Sequence, residues 1–403
     1  MCPQSITIGD YYQSSCANVA QVFLVIKRPS HNTDRYTITM SELFQPLRIG
    51  NVELQHRVVM APLTRLRADA DHVPLPMSTP YYEQRASVPG TLIIAEATLI
   101  SAPEAGIPHG PGIWTEAQIA EWKKITDAIH AKGSYAFCQL IALGRAASPE
   151  ELKKGGNELF APSPIAMEEG MPVPKELGEE QIQKIIADFA IAAKNAVRAG
   201  FDGVEVHGAN GYLVDQFMQD VTNQRQDQWG GSVPNRARFG LEVAKALVDA
   251  VGAEKVGFRL SPWNTWQSMK MADPVPQFSY FVEQLKTLKL AYLHVVESRV
   301  INNIDCEKGE SLKFLLDIWG KTSPVLVAGG YNPGNVEGAY GDEYKNNDVA
   351  VVFGRHFISN PDLPFRIQHQ LPLTPYDRSS FYTATQAAGY GDYPFSAEFI
   401  KQQ

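Results

Sequence analysis

His207, Asn210 and Tyr212 stand within six residues of one another, in Val204-Glu205-Val206-His207-Gly208-Ala209-Asn210-Gly211-Tyr212. An imidazole and a carboxamide can both donate hydrogen bonds to one oxygen. A phenol, with an ordinary pKa of about 10, is protonated at neutral pH and serves as a proton donor. Two donors on an oxygen, with an acid beside them, polarise a carbonyl and protonate the carbon alpha to it. The same three residue types near a helix start also cap and pack, so the triplet alone leaves a purely structural role open.

The elements around the triplet must place it. Ile182, Ile185, Ile186, Phe189, Ala193 and Val197 recur at helical spacing, and Gly200 closes that helix. An apolar strand over 201–207 follows, then a helix opening near Leu213. Short, mostly apolar strand signals recur at 57–60, 91–96, 135–140, 256–260, 292–296, 324–330 and 349–355, as expected of strands buried on both faces. Between them, Thr115 with Gln118 reads as a capping box before the Ile119, Trp122, Ile125, Ile129 face. Asn235 reads as the cap of a helix carrying Phe239, Val243, Leu247 and Val251. Phe278, Phe281, Val282, Leu285 and Leu288 mark another. Eight strands with intervening helices predict an α/β fold, a single (β/α)8 TIM barrel over residues 41–403. A doubly wound sheet with an added domain is the alternative.

In a barrel of parallel strands the chemistry gathers at the strands' carboxyl ends. Those ends carry Pro62 and Thr64 on the first strand, Glu96 and Ala97 on the second and Gln139 on the third. Arg259 lies on the fifth, Gly329 and Gly330 on the seventh, Gly354 and Arg355 on the eighth. Glycine lets backbone approach a phosphate closely, and Arg355 adds a cation. Gln139 and Arg259 suit a planar ligand with polar edges, although Arg259 could equally pair with a buried carboxylate.

The 403 residues carry a formal net charge of −8 and 44% hydrophobic residues. This suits a globular fold with a sizeable core and argues against nucleic acid or anionic membrane as partner. No apolar run is long enough to span a bilayer. The expected location is cytoplasmic, as a monomer or homodimer. Cys2, Cys16, Cys138 and Cys306 are scattered, without metal or iron–sulfur spacing, and Cys138 reads as a core residue inside a strand. Residues 1–40 read as a loosely ordered extension, with a targeting segment as the alternative.

Leu43-Phe44-Gln45-Pro46-Leu47-Arg48-Ile49-Gly50, Ala61-Pro62-Leu63-Thr64-Arg65, His207-Gly208-Ala209-Asn210-Gly211-Tyr212-Leu213, the run from Asn223 to Phe239, and Phe353-Gly354-Arg355 with the segment Ile358 to Leu363 together resemble the Old Yellow Enzyme family. The resemblance runs from about Leu43 to Pro394. It implies a non-covalent FMN across the barrel mouth, lined by Pro62, Thr64, Ala97 and Gln139. Arg259 would stand at the pyrimidine edge, and Gly329, Gly330, Gly354 and Arg355 at the phosphate. It further implies NAD(P)H as reductant, with NADPH favoured, and activated alkenes as substrates. Their oxygen would be bound by His207 and Asn210 and their α-carbon protonated by Tyr212, with Trp266 and Tyr382 at the substrate pocket. Thr64 at the first strand end is similar to the yeast and plant branch. Ile141 and Gly330 depart from the commoner pattern, which bears on substrate scope.

Three rivals are open to test. A dienoyl-CoA reductase needs an iron–sulfur cysteine cluster that the sequence lacks. An isomerase of a fungal secondary-metabolite pathway is set against the retention of Tyr212. A non-catalytic barrel scaffold is set against the intact triplet.

Overall fold

The computed structural model of the protein describes residues 42–298, 300–301, 304–305 and 309–403. The extension expected over 1–40, and Cys2, Cys16 and Cys306, lie outside the described residues. Eight strands form one closed barrel: β1 (Val58–Met60), β2 (Leu92–Leu99), β3 (Tyr135–Ile141), β4 (Gly203–Gly208), β5 (Val256–Leu260), β6 (Tyr292–Val296), β7 (Val325–Ala328) and β8 (Val349–Phe353). Each pairs in parallel with the next, and β8 returns to β1 through Phe353 opposite Met60. Closure leaves no free barrel edge, which sets aside the doubly wound alternative.

The barrel helices are α1 (Ser78–Arg85), α2 (Glu116–Ala131), α3 (Glu179–Arg198), α4 (Leu213–Met218), α5 (Val233–Val251), α6 (Val275–Thr287), α7 (Lys313–Trp319), α8 (Arg355–Ser359) and α9 (Leu363–Gln368). The capping box of α2 is formed: Thr115 Oγ1 accepts from Gln118 N at 3.2 Å, and Gln118 Oε1 accepts from Thr115 N at 3.0 Å. Gly200 follows α3 with φ +86°, a conformation glycine adopts without steric cost. One cap differs from expectation. Ser232, not Asn235, caps α5, its Oγ accepting from Asn235 N at 3.3 Å. The helix therefore starts three residues earlier, and the Asn235 side chain donates instead to Asp227 O at 3.1 Å.

The barrel's amino end is closed by a hairpin, Leu47–Ile49 against Val52–Leu54. Its four apolar side chains, Leu47, Ile49, Val52 and Leu54, pack on the inward residues Val59, Leu92, Ile94, Phe137, Tyr292, Leu326 and Ala350. Burying each is worth roughly 1.5–3 kcal/mol. Gly50 makes the turn at φ +53°, and a Cβ there would overlap the carbonyl of Glu254. Cys138 is fully buried in β3, where burial pushes its thiol up to about 12, so it is a packing residue and not a nucleophile.

His56 links this closed end to the barrel. Its Nδ1 accepts from Val58 N at 3.2 Å and its Nε2 lies 3.1 Å from Thr91 Oγ1. Burial pushes its pKa down to about 4. An unfolded chain takes up that proton below about 6.5, the folded one only below about 4. Stability is therefore expected to fall with pH across that window, by about 2 kcal/mol between pH 7 and pH 5 from this residue. Urea unfolding of the protein and of His56→Gln at both pH values checks this. The variant should lose that much less on acidification, and equal losses would contradict the assignment.

Candidate active site

The barrel interior divides by chemistry. Val59, Ala61, Leu92, Ile94, Leu326, Ala328, Ala350 and Val352 make the β7–β8–β1–β2 arc apolar. The opposite arc carries Gln139, Glu205, His207, Arg259 and His294 toward the carboxyl ends of β3 to β6. Register fixes their neighbours: Gln139 is level with Glu205, and His207 with Arg259 and His294. Gln139 and His207 are buried, while Pro62, Thr64, Ala97, Asn210, Tyr212, Gly330, Gly354 and Arg355 around them are partly exposed. The barrel is thus open at this end.

Glu205 is wholly buried. Its Oε1 accepts from Gln139 Nε2 at 2.7 Å and its Oε2 from His294 Nδ1 at 2.8 Å. Burial would raise the carboxyl, but His294, Arg259 and Gln139 outweigh it and hold the pKa below the ordinary value. Burial, then the nearby Arg259 and His294, holds His207 well below its ordinary pKa, so at neutral pH it is a neutral imidazole. Three buried polar atoms on adjacent strands have no partner: His207 Nδ1, Arg259 Nε and His294 Nε2. An unmet buried polar group costs about 1–3 kcal/mol. Such a cluster beneath an open mouth is what a site built to receive a polar ligand shows.

The turn after β4 places the remaining groups. Asn210 and Gly211 are consecutively left-handed, at φ +59° and +81°. Asparagine is among the few side chains that tolerate this. A Cβ on Gly211 would stand 2.8 Å from Met269 Cγ and 3.0 Å from Gln267 Cβ. The loop after β5, which carries Trp266, therefore backs the turn. Asn210 N donates to Ser261 Oγ at 2.7 Å, Gly211 N to Asp215 Oδ2 at 2.9 Å, and Gln216 Nε2 to Gly211 O at 2.7 Å. So held, the chain doubles back and sets the Tyr212 ring edge-on to His207, with 4.8 Å between centroids.

The other strand ends complete the rim. Between β2 and β3 the register slips after Ala95, so Ala97 sits at a bulge, a common device beside active sites. Gly329 and Gly330 follow β7 at φ +133° and +66°. A Cβ on Gly354 would meet only Leu63 and Ala61, at 3.6 and 3.8 Å. Arg355 Nη1 donates to the Tyr376 hydroxyl at 3.2 Å.

Above the mouth lies the segment containing Phe381 and Tyr382, latched by two arginines to which the sequence pattern assigned no role. Arg65 donates to Phe381 O at 3.1 Å and Gly389 O at 2.8 Å. Arg67 donates to Gln386 O at 3.0 Å and Thr383 Oγ1 at 2.7 Å. Tyr390 stacks on Tyr81 with centroids 4.0 Å apart. Phe381 is buried, whereas Tyr382 is partly exposed. Burial, then its neighbour Tyr212, pushes the Tyr382 phenol up to about 12.

This donor set fits the flavin that the family resemblance implies. Gln139 has its amide N–H₂ turned to Glu205, leaving its carbonyl oxygen for a ligand donor. Arg259 has an unmet N–H for an acceptor edge, and paired glycines with Arg355 suit a phosphate. Among the described residues no helix is long and apolar enough to cross a membrane.

Comparison with known proteins agrees with the geometry. The chain is 54% identical over 363 residues to a chanoclavine-I aldehyde reductase of Penicillium roqueforti, covering 90% of this chain and 98% of the relative. It is 53% identical to an NADP-dependent oxidoreductase of Aspergillus flavus, covering 90% and 98%. It is 48% identical to a probable inactive reductase of Epichloe festucae var. lolii, covering 91% and 98%. Among solved structures it is similar to morphinone reductase, with TM-score 0.81, 39% identity and coverage of 88% and 96%. It is likewise similar to an Old Yellow Enzyme from Pichia, with TM-score 0.82, 40% identity and coverage of 88% and 94%. The model of the NADH:flavin oxidoreductase / NADH oxidase family matches residues 42–374, from just before the closing hairpin to beyond α9, and the chain belongs to that family as an Old Yellow Enzyme-like, FMN-dependent NAD(P)H oxidoreductase.

Proposed function

We propose that the protein reduces the C=C bond of α,β-unsaturated aldehydes and related activated alkenes, with NADPH as the preferred reductant. The observation that carries this is the return of Tyr212 onto His207 at a rim shared with Asn210. The chemistry FMN supplies when bound is hydride transfer, in from NAD(P)H and out to an electron-poor alkene carbon. Pro62, Thr64 and Ala97 line its ring, Gln139 and Arg259 meet its polar edge, and Gly329, Gly330, Gly354 and Arg355 take its phosphate. His207, neutral, and Asn210 donate to the substrate's carbonyl or nitro oxygen. Donors placed where negative charge develops are usually the largest catalytic contribution. Tyr212 gives its proton to the α-carbon, while Trp266 and Tyr382 border the substrate.

An aldehyde reductase among the relatives supports an aldehyde substrate in a fungal biosynthetic setting, and the NADP-dependent relative supports NADPH. Retention of Tyr212 favours net reduction over isomerisation. Purified protein is expected to be yellow, to release FMN on denaturation, and to be bleached faster by NADPH than by NADH without oxygen. A colourless protein that does not take up added FMN would overturn the reading.

A further inference from the structure

Glu205 is a buried charge that the proposed chemistry leaves without a task. It lies one inward position below His207 on β4, wholly shielded from solvent. Its carboxylate oxygens accept from Gln139 Nε2 at 2.7 Å and His294 Nδ1 at 2.8 Å, and the buried Tyr292 phenol also faces it. Its own core could have been filled more cheaply, since an apolar residue carries no desolvation cost and a buried carboxylate does. Packing therefore does not account for it.

Two consequences follow from the array. A carboxylate only accepts, so it fixes which end of the Gln139 amide faces it. The N–H₂ points at Glu205 and the carbonyl oxygen points away. The second concerns charge. Burial pushes the His294 pKa down against the pull of Glu205. Arg259, one strand over and with its Nε unmet, is the permanent cation whose field Glu205 opposes. A negative charge held beneath a positive one reduces what that cation contributes at the mouth, and in a dry interior this acts over several ångströms.

We propose that Glu205 is a positioning residue for the cofactor. It orients the Gln139 amide toward the polar edge of the bound flavin, and it tempers Arg259 so that the reduced, negatively charged flavin is not overstabilised. Glu205 thereby sets the reduction potential. This rests on the FMN reading above.

The test measures the midpoint potential of FMN on the intact protein by anaerobic spectroelectrochemistry, in the wild type, Glu205→Gln and Glu205→Asp. The neutral isostere leaves Arg259 unopposed. The preference for reduced over oxidised FMN should rise on the order of tenfold, a shift of about +30 mV for a two-electron couple. Glu205→Asp keeps the charge and should stay near the wild-type value. An unchanged or more negative potential in Glu205→Gln, with FMN bound, overturns the proposal. If Glu205→Gln is not recovered folded, His294→Leu tests the same array. It removes the donor that helps hold the carboxyl ionised, so burial drives Glu205 toward its neutral form and the potential should rise as in Glu205→Gln. A potential that does not rise there, or failure of both variants to fold, assigns Glu205 to structure alone. Failure of the wild type to bind FMN at all would instead remove the functional reading, so the two failures are distinct.

Discussion

Tyr212→Phe is expected to slow enone and enal reduction about 10²- to 10⁴-fold, the ordinary worth of a positioned general acid. Bleaching by NADPH should stay nearly unchanged. The phenol is the one acid of the rim triplet that is protonated at neutral pH, since His207 is held neutral by burial and Asn210 has no acidic proton. Its ring is fixed edge-on to His207 by a turn that three side chains pin, so removing one oxygen leaves the geometry in place. Taking hydride from NADPH needs no proton from Tyr212, which is why the two half-reactions should separate. Nitroalkenes form a stabilised anion, so with them only the protonation should slow. Stopped-flow measurement of each half-reaction decides. Equal losses in both would make Tyr212 structural, and no loss in either would place the acid elsewhere.

His207→Ala and Asn210→Ala are each expected to weaken binding of a phenol ligand, whose phenolate oxygen would take the place of the substrate's oxygen, by roughly 1.5–3 kcal/mol, the worth of a hydrogen bond to a charged oxygen. That is about ten- to 150-fold in Kd. FMN should remain bound in both, because neither residue belongs to the proposed phosphate cradle. The two variants should differ in stability. Alanine at position 210 inherits φ +59°, which costs about 1–2 kcal/mol more than a side chain suited to it. His207→Ala removes a buried nitrogen that has no partner and carries no such strain. Phenol titrations followed by the flavin band, alongside thermal unfolding, read both effects. Unchanged phenol affinity in both variants would put the substrate elsewhere.

The barrel was legible because its strands are continuous apolar runs, and β5 and β6 match their expected bounds. The expected β7 and β8 overrun the paired residues at Pro324, at Gly329 and Gly330, and at Gly354 and Arg355, since hydropathy does not reveal where pairing stops. Helix α1 was missed because it buries Tyr81, Tyr82 and Arg85 where an aliphatic stripe would be sought. The hairpin at the amino end is short and reads as ordinary loop. The cap at Asn235 was misplaced because Ser232 and Asn235 are both good caps and only packing chooses.

The rim of the site was readable from His207, Asn210 and Tyr212, and Asn210-Gly211 is a turn signal in its own right. What pins that turn was not, because Ser261 reaches it from another strand end and the local partner Asp215 reads as an ordinary first-turn helix residue. Arg65 and Arg67 likewise both donate to Phe381 O, more than 310 residues away. Arg355, the cation expected at the phosphate, also donates an N–H to Tyr376, a partner that its motif does not reveal.

The most direct measurement is an anaerobic double-mixing experiment with product analysis. NADPH is added to the purified yellow protein, the bleached enzyme is mixed with an α,β-unsaturated aldehyde, and the product is identified. The account predicts bleaching, return of the colour, and one saturated aldehyde formed per flavin. An allylic alcohol, an isomerised alkene, or a bleached enzyme that the enal cannot recolour would contradict it.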